Sequence, residues 1–162
     1  MVLLRYLYVV ALVLWVGGLV SAGALVAPAV FGVLQAWNPA EGRVLAGQVF
    51  GAVLVRLTWL SYAMAFIMFV TLTLHRLLGA RPLKYGIRVG IMAMMLLMMM
   101  AMGFYIIPEV NAIQAQVAGP VSELPAGDAR RVLFDSLHWW SNILFSITAL
   151  AGLALCWWET RE

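Results

Sequence analysis

The sequence predicts an all-α membrane protein, a bundle of four transmembrane helices with both termini in the cytoplasm. Three observations lead there. Four stretches, Tyr6–Ala40, Leu57–Leu74, Val89–Pro108 and Trp139–Trp158, are free of charged side chains, and each reaches or approaches the roughly 20 apolar residues that cross about 30 Å of hydrocarbon. A composition 65% hydrophobic and 10% charged exceeds what a soluble domain of this size can bury. The basic residues also gather at one end of the predicted spans.

The spans and their connections use the whole chain, so a single domain over residues 1–162 is expected, with no room for a soluble catalytic module. The first helix is predicted from Leu3 to Leu34. Arg5, the apolar run and the small residues Ser21-Ala22-Gly23 superficially suit a signal peptide. The uncharged run is far longer than a signal h-region of about 7–15 residues and lacks a polar end, so a retained span is expected. Asn38-Pro39 marks a turn within a loop Gln35–Gly42. The second helix is predicted from Val44 to Leu78, ended by Gly79 and Pro82, and the third from Tyr85 to Ile107, with Pro108 at its outer end. Val110, Ile113 and Val117 keep helical spacing beyond it, as for a helix along the membrane surface, until Gly119-Pro120 breaks the pattern. Asp128 is an apt N-cap for the fourth helix, Ala129 to Trp158. No internal repeat stands out.

Arg5, Arg76, Arg81, Lys84, Arg88 and Arg161 fall at the end with the termini, against Arg43, Arg130 and Arg131 at the other. The positive-inside rule makes the first end cytoplasmic. Tyr6, Tyr8, Tyr85, Trp157 and Trp158 then form an inner aromatic belt, and Tyr105, Trp139 and Trp140 an outer one. The net charge of +3 reads as topology, so the lipid bilayer is the expected partner and nucleic acid is not. Gly17 with Ser21, Gly18 with Ala22, and Gly47 with Gly51 are small-residue pairs one turn apart that mark candidate helix contacts. Pro28 is expected to bend the first helix and free carbonyls there.

Counting outward at helical rise, Pro28, Arg56, Glu109, Asp135 and His138 reach one layer near the outer edge of the hydrocarbon. Ionisable groups in spans usually face a bundle interior or a watery cavity. On the fourth helix Asp135, His138, Ser141, Asn142 and Ser146 form one polar stripe. A carboxylate one turn from an imidazole suits proton handling, or metal or haem ligation, and the imidazole is expected to point inward. The alternative is a stripe that only hydrogen-bonds neighbouring helices. Arg56 is expected either to pair with Asp135 or Glu109 or to snorkel to headgroups, and His75 to be solvated beside Arg76.

Met92, Met95, Met99 and Met102 share one face of the third helix. Thioethers suit Cu(I), and methionine equally fills irregular apolar contacts; no Cys or His joins the cluster within the span. Cys156 has no partner for a disulfide. Walker, HExxH, CxxC, nucleophile-elbow and dinucleotide motifs are absent, so no catalytic residue is assigned, and no metal or cofactor is expected, with haem and copper as the alternatives.

Val26-Ala27-Pro28-Ala29-x-Phe31-x-x-Leu34, Ala46-Gly47-x-x-x-Gly51 and Phe134-x-x-Leu137-His138-x-x-Ser141 resemble the small four-helix membrane proteins grouped with transmembrane protein 205, whose bacterial members form a domain of unknown function. Trp139 stands where many relatives carry a basic residue. The resemblance implies a four-helix bundle and no agreed activity. More distantly the layout is similar to the copper-resistance protein D group and to the haem-linked protoporphyrinogen oxidases, which carry a first-helix histidine that this chain lacks. Three roles are therefore expected: binding or transport of a small solute or ion at an outer polar site, by a homo-oligomer or a single chain of a bacterial inner or plasma membrane; a haem- or quinone-linked redox protein; or a structural assembly partner.

Overall fold

A computed structural model describes residues 2–79, 84–117 and 119–161. Helix α1 spans Val2–Trp37, α2 Pro39–Leu78, α3 Tyr85–Ala115 and α4 Ala129–Glu159; each is long and apolar enough to cross a membrane. The expected contributions of Arg81 and Pro82 lie outside the described residues.

The first connection is tighter than expected. Asn38 alone is extended, and the loop foreseen over Gln35–Gly42 is otherwise helical. Asn38 serves both helices: its N–H donates to the Leu34 carbonyl at 3.1 Å, and its Oδ1 accepts from the Glu41 N–H at 3.2 Å. Pro39 reads as a turn residue in sequence but takes the first helical position, where its missing N–H costs nothing. A side chain at Gly42 would run into the Leu34 carbonyl, so glycine lets the two helices cross this closely. At α4 the expected cap is present, with Asp128 Oδ1 accepting from the Arg130 N–H at 2.9 Å.

Each proline inside a span is preceded by a π-helical turn: Ala22–Val26 before Pro28, and Met102–Ile106 before Pro108. In an α-helix the Ala27 N–H would bond Gly23; here it bonds Ala22, and Ile107 bonds Met102 in the same way. Pro28 and Pro108 have no N–H to offer, so the Gly23 and Gly103 carbonyls lack an intrahelical donor. The third helix runs on through Pro108 to Ala115 without a break, the extension that the helical spacing of Val110 and Ile113 pointed to, and it ends before Val117.

The helices form a ring in which α1 and α3 each touch α2 and α4. Tyr8, Leu12, Trp15 and Leu19 of α1, Met92, Met95 and Met99 of α3, Met68 of α2 and Leu155 of α4 fill the centre. The methionine face is thus core, and the Met98 sulfur accepts a hydrogen bond from Thr148 at 3.6 Å. Toward the end away from the termini a smaller core of Met102, Ile106, Ile113, Val121 and Leu137 joins α3, the α3–α4 connection and α4. The arm of α1 beyond its π turn, Ala27–Trp37, buries no residue and runs along α2.

The structure corrects the expectation that the chain has no repeat. Adding 80 to a residue number in the hairpin α1–α2 gives its counterpart in α3–α4. The π turns, Gly23 and Gly103, and Pro28 and Pro108 fall at matching positions in this register. Buried Tyr8, Leu12, Trp15, Leu19 and Ala22 match buried Arg88, Met92, Met95, Met99 and Met102, and Leu57 matches Leu137. Leu57-x-Trp59-x-Ser61 also answers Leu137-x-Trp139-x-Ser141. Exchanging the hairpins leaves the ring order unchanged, the pattern of a parallel internal repeat in a membrane protein. Few identical residues carry the repeat, because any apolar side chain satisfies most buried positions.

Candidate functional site

On α4, His138, Phe145 and Gly152 are seven residues apart and so share one side. Gly152 lies against Val16 of α1, and the Phe145 ring reaches within 3.2 Å of the Cβ position of Gly23. That side therefore faces α1. Ala149 and Cys156, on the same side nearer the termini, are half-buried against the core. At the level of His138 the packing stops, because the outer arm of α1 follows α2. His138 and Asn142 are consequently exposed, on a seam that closes below them and opens at their level. The imidazole expected to point inward instead stacks on Phe134, 6.3 Å between centroids and 3° between planes.

The remaining predicted residues are dispersed. Asp135 is 67% exposed and meets Arg131 Nε at 3.9 Å, so its carboxylate turns one turn back along α4 rather than toward His138. Ser141 donates to the His138 carbonyl at 2.8 Å, and Ser146 is exposed. Arg56 is exposed and donates to the Ala52 carbonyl of its own helix at 3.1 Å. Glu109 is half-buried. Among the described residues neither Asp135 nor Glu109 forms an ion pair with Arg56, whose side chain turns back one turn along its own helix instead. Of the small-residue pairs, Gly18 faces Leu57, where an added Cβ would lie 2.9 Å from the Leu57 side chain, and one on Gly47 would lie 3.4 Å from Gln114, while an added Cβ at Gly17 or Gly51 would meet nothing within 4 Å and Ser21 is exposed.

A second polar cluster, at the end carrying the termini, is one that sequence reasoning missed. Arg88, 3% exposed, forms an ion pair of 2.7 Å with Glu159. Arg5 approaches the same carboxylate at 3.7 Å and donates to the Glu159 carbonyl at 3.3 Å. The Arg88 guanidinium lies 5.9 Å from the centre of the Tyr8 ring. Together with Thr71 and His75 these residues line a cleft of about 10 Å³, room for roughly one water molecule and no larger solute. The cluster draws a side chain from every helix and so ties their ends together. Its signal in the sequence was position: Arg88 is one turn before Met92 on the methionine face.

Nearby, Arg76 lies over Tyr85 at 4.4 Å, Lys84 over Trp158 at 5.1 Å and Arg161 over Trp157 at 4.8 Å. These pairs give the basic end an aromatic belt, although Tyr8 is buried instead of joining it. At the opposite end the Arg130 side chain beside Asp128, with its backbone N–H, holds that carboxyl down at about 2. Among the described residues no group of three or more His, Cys, Asp and Glu side chains is arranged to hold a metal ion.

A sequence model of the family described as "Domain of unknown function (DUF4149)" matches residues 10–118. That range takes in α1 from residue 10 onward and the whole of α2 and α3. No curated protein and no solved structure matches the chain.

Proposed function

The chain belongs to the DUF4149 family of domains of unknown function, and we propose that it binds or passes a small solute at the α1–α4 seam, on the outer-leaflet side of a bacterial inner or plasma membrane. The observation that carries this reading is the exposure of His138 and Asn142 on the α1-facing side of α4. An imidazole and an amide at that depth are costly beside hydrocarbon unless something polar meets them. The Gly23 carbonyl, left without its helical donor, adds an acceptor on the other wall. A molecule entering sideways from the bilayer would reach all three.

The orientation rests on the basic residues at the terminal end. The cleft between Arg5 and Arg88 is a poor alternative site, since it holds about one water. Haem ligation has less support: His75 and His138 lie at opposite ends of the bundle, and α1 carries no histidine.

The test is recovery of the bound molecule. The protein is extracted from its host membrane into lipid nanodiscs, and co-purifying small molecules are compared by mass spectrometry between wild type, His138→Ala and Asn142→Leu. A compound retained by wild type and depleted at least tenfold in both variants is expected. Equal recovery from all three would refute the seam as the site.

Self-association is a second reading, favoured by Asp135 and Ser146 on the outward side of α4. A second copy seated there would cover them. Asp135→Leu should then shift the nanodisc population toward monomer, as read by single-molecule photobleaching.

A further inference from the structure

The internal repeat compares the two seams of the ring position by position. At the α2–α3 seam the level of the π turn is filled by the chain's own aromatic rings. Tyr62 donates its hydroxyl to the Met99 carbonyl at 3.2 Å. Its ring stacks on Phe104, with centroids 5.9 Å apart and planes at 10°, and receives the edge of Trp59 at 5.7 Å and 84°. Beside it Thr58 is 5% exposed. The fit depends on Gly103, where an added Cβ would lie 2.6 Å from Thr58 Cγ2 and collide with the Tyr62 hydroxyl.

The α1–α4 seam has the same frame. Its π turn, Gly23 and Pro28 stand in register with those of α3, and Trp139 is the counterpart of Trp59. What differs is the filling. Tyr62 is answered by Asn142, Phe104 by Ala24 and Thr58 by His138. The Tyr62 and Phe104 rings thus have no aromatic counterpart here, and in their stead the Phe145 ring, which answers Ala65, lies edge-on 3.2 Å from where a Cβ on Gly23 would stand. Ala24, His138 and Asn142 are all exposed. Trp139, lacking a ring like Tyr62, turns its edge to Trp140 at 4.9 Å and 79°.

We infer that the α1–α4 seam is a slot for a lipid-soluble hydroxyaromatic ring, a phenol or quinol, occupying the place that Tyr62 fills at the other seam. The inference rests on the seam being the binding site, as proposed above, and names its ligand class. The ring lies between Trp139 and the π turn. Its hydroxyl donates to the Leu19 carbonyl, counterpart of Met99, or to the Gly23 carbonyl, which has lost its helical donor to the π turn and Pro28. His138 and Asn142 hydrogen-bond the substituents on its far edge. A lipid acyl chain has no atom to offer these polar groups, whereas a ring with hydroxyls matches both the shape and the chemistry.

The probe is a 4-alkylphenol carrying a diazirine on its alkyl tail, photolysed with the full-length protein in nanodiscs and mapped by peptide mass spectrometry. Labelling is expected on α1 around Leu19–Val26 and on α4 around His138–Phe145. Unlabelled 4-octylphenol should compete at least tenfold better than octylbenzene, which lacks the hydroxyl. Asn142→Tyr supplies the ring from the chain itself and should cut labelling at least tenfold while raising the thermal midpoint. Ala24→Phe is a second filling variant should the first fail to fold, and competition on wild type needs neither. Equal competition by octylbenzene, or undiminished labelling of a folded filling variant, overturns the inference. If Asn142→Leu releases a co-purified molecule but the phenol never labels the seam, the site stands and its ligand class falls. If neither occurs, both fall.

Discussion

Arg88 shows what a residue's address adds to its type. Counting basic residues gives it to a solvated inner cluster, yet it is 3% exposed and held by Glu159. Helical spacing places it on the methionine face, but an arginine within a turn of a helix end ordinarily snorkels, and nothing local shows that α4 brings a carboxylate to it. Losing one partner of a buried pair strands the other charge, at about 3–5 kcal/mol. Arg88→Gln should therefore lower stability in detergent by about that much, as measured by reversible unfolding. Arg5→Gln should cost under about 1 kcal/mol, since its side chain is 43% exposed; equal losses would refute the difference in role. Asp128 gives a pH test. Its carboxyl is lowered from 3.8 to about 2 by Arg130, so the stabilisation it lends the start of α4 is complete above about pH 3.8 and lost as pH falls through about 2. Protection of the Arg130 amide, its hydrogen exchange taken relative to the intrinsic rate at each pH, should hold at pH 4 and fall near pH 2, and Asp128→Ala should abolish that change in protection.

Among the elements, the four helices were legible because uncharged runs near 20 residues have few other fates in a chain this apolar. Their ends were less so. Asn38-Pro39 looks like a loop because the same residues that make turns also cap helices, and one residue here does both. Pro28 announced a disturbance in α1 but not its form, a π turn that re-aims the backbone and leaves a carbonyl open. The twin π turns make a paired prediction. Gly103→Ala should destabilise by about 1–3 kcal/mol, the usual cost of overpacking, because Tyr62 and Thr58 occupy the space. Gly23→Ala meets only the edge of Phe145 and should cost less than half as much. Thermal unfolding in one detergent compares the two, and a larger loss at Gly23 would contradict the open seam.

At the scale of the whole molecule, four membrane-spanning helices arranged as two like hairpins follow from burial more than from identity. The polar stripe on α4 was visible in sequence; that it faces an opening was not, because the opening depends on the outer arm of α1 following α2. Orientation is a separate expectation, drawn from the charge asymmetry. With Cys156 replaced by alanine, Ser122→Cys should react with an impermeant thiol reagent in intact cells and Thr160→Cys should not; the reverse pattern would invert the topology.

The most direct measurement of the central claim, that one seam is open where its repeat-mate is closed, sets Thr58 against His138. These are equivalent positions on α2 and α4, one 5% exposed and the other open to its surroundings. In the Cys156-free protein in nanodiscs, Thr58→Cys and His138→Cys are reacted with N-ethylmaleimide, and the rates are normalised to each unfolded variant. His138→Cys should react at least tenfold faster. Equal rates, or faster reaction at Thr58→Cys, would contradict an open α1–α4 seam.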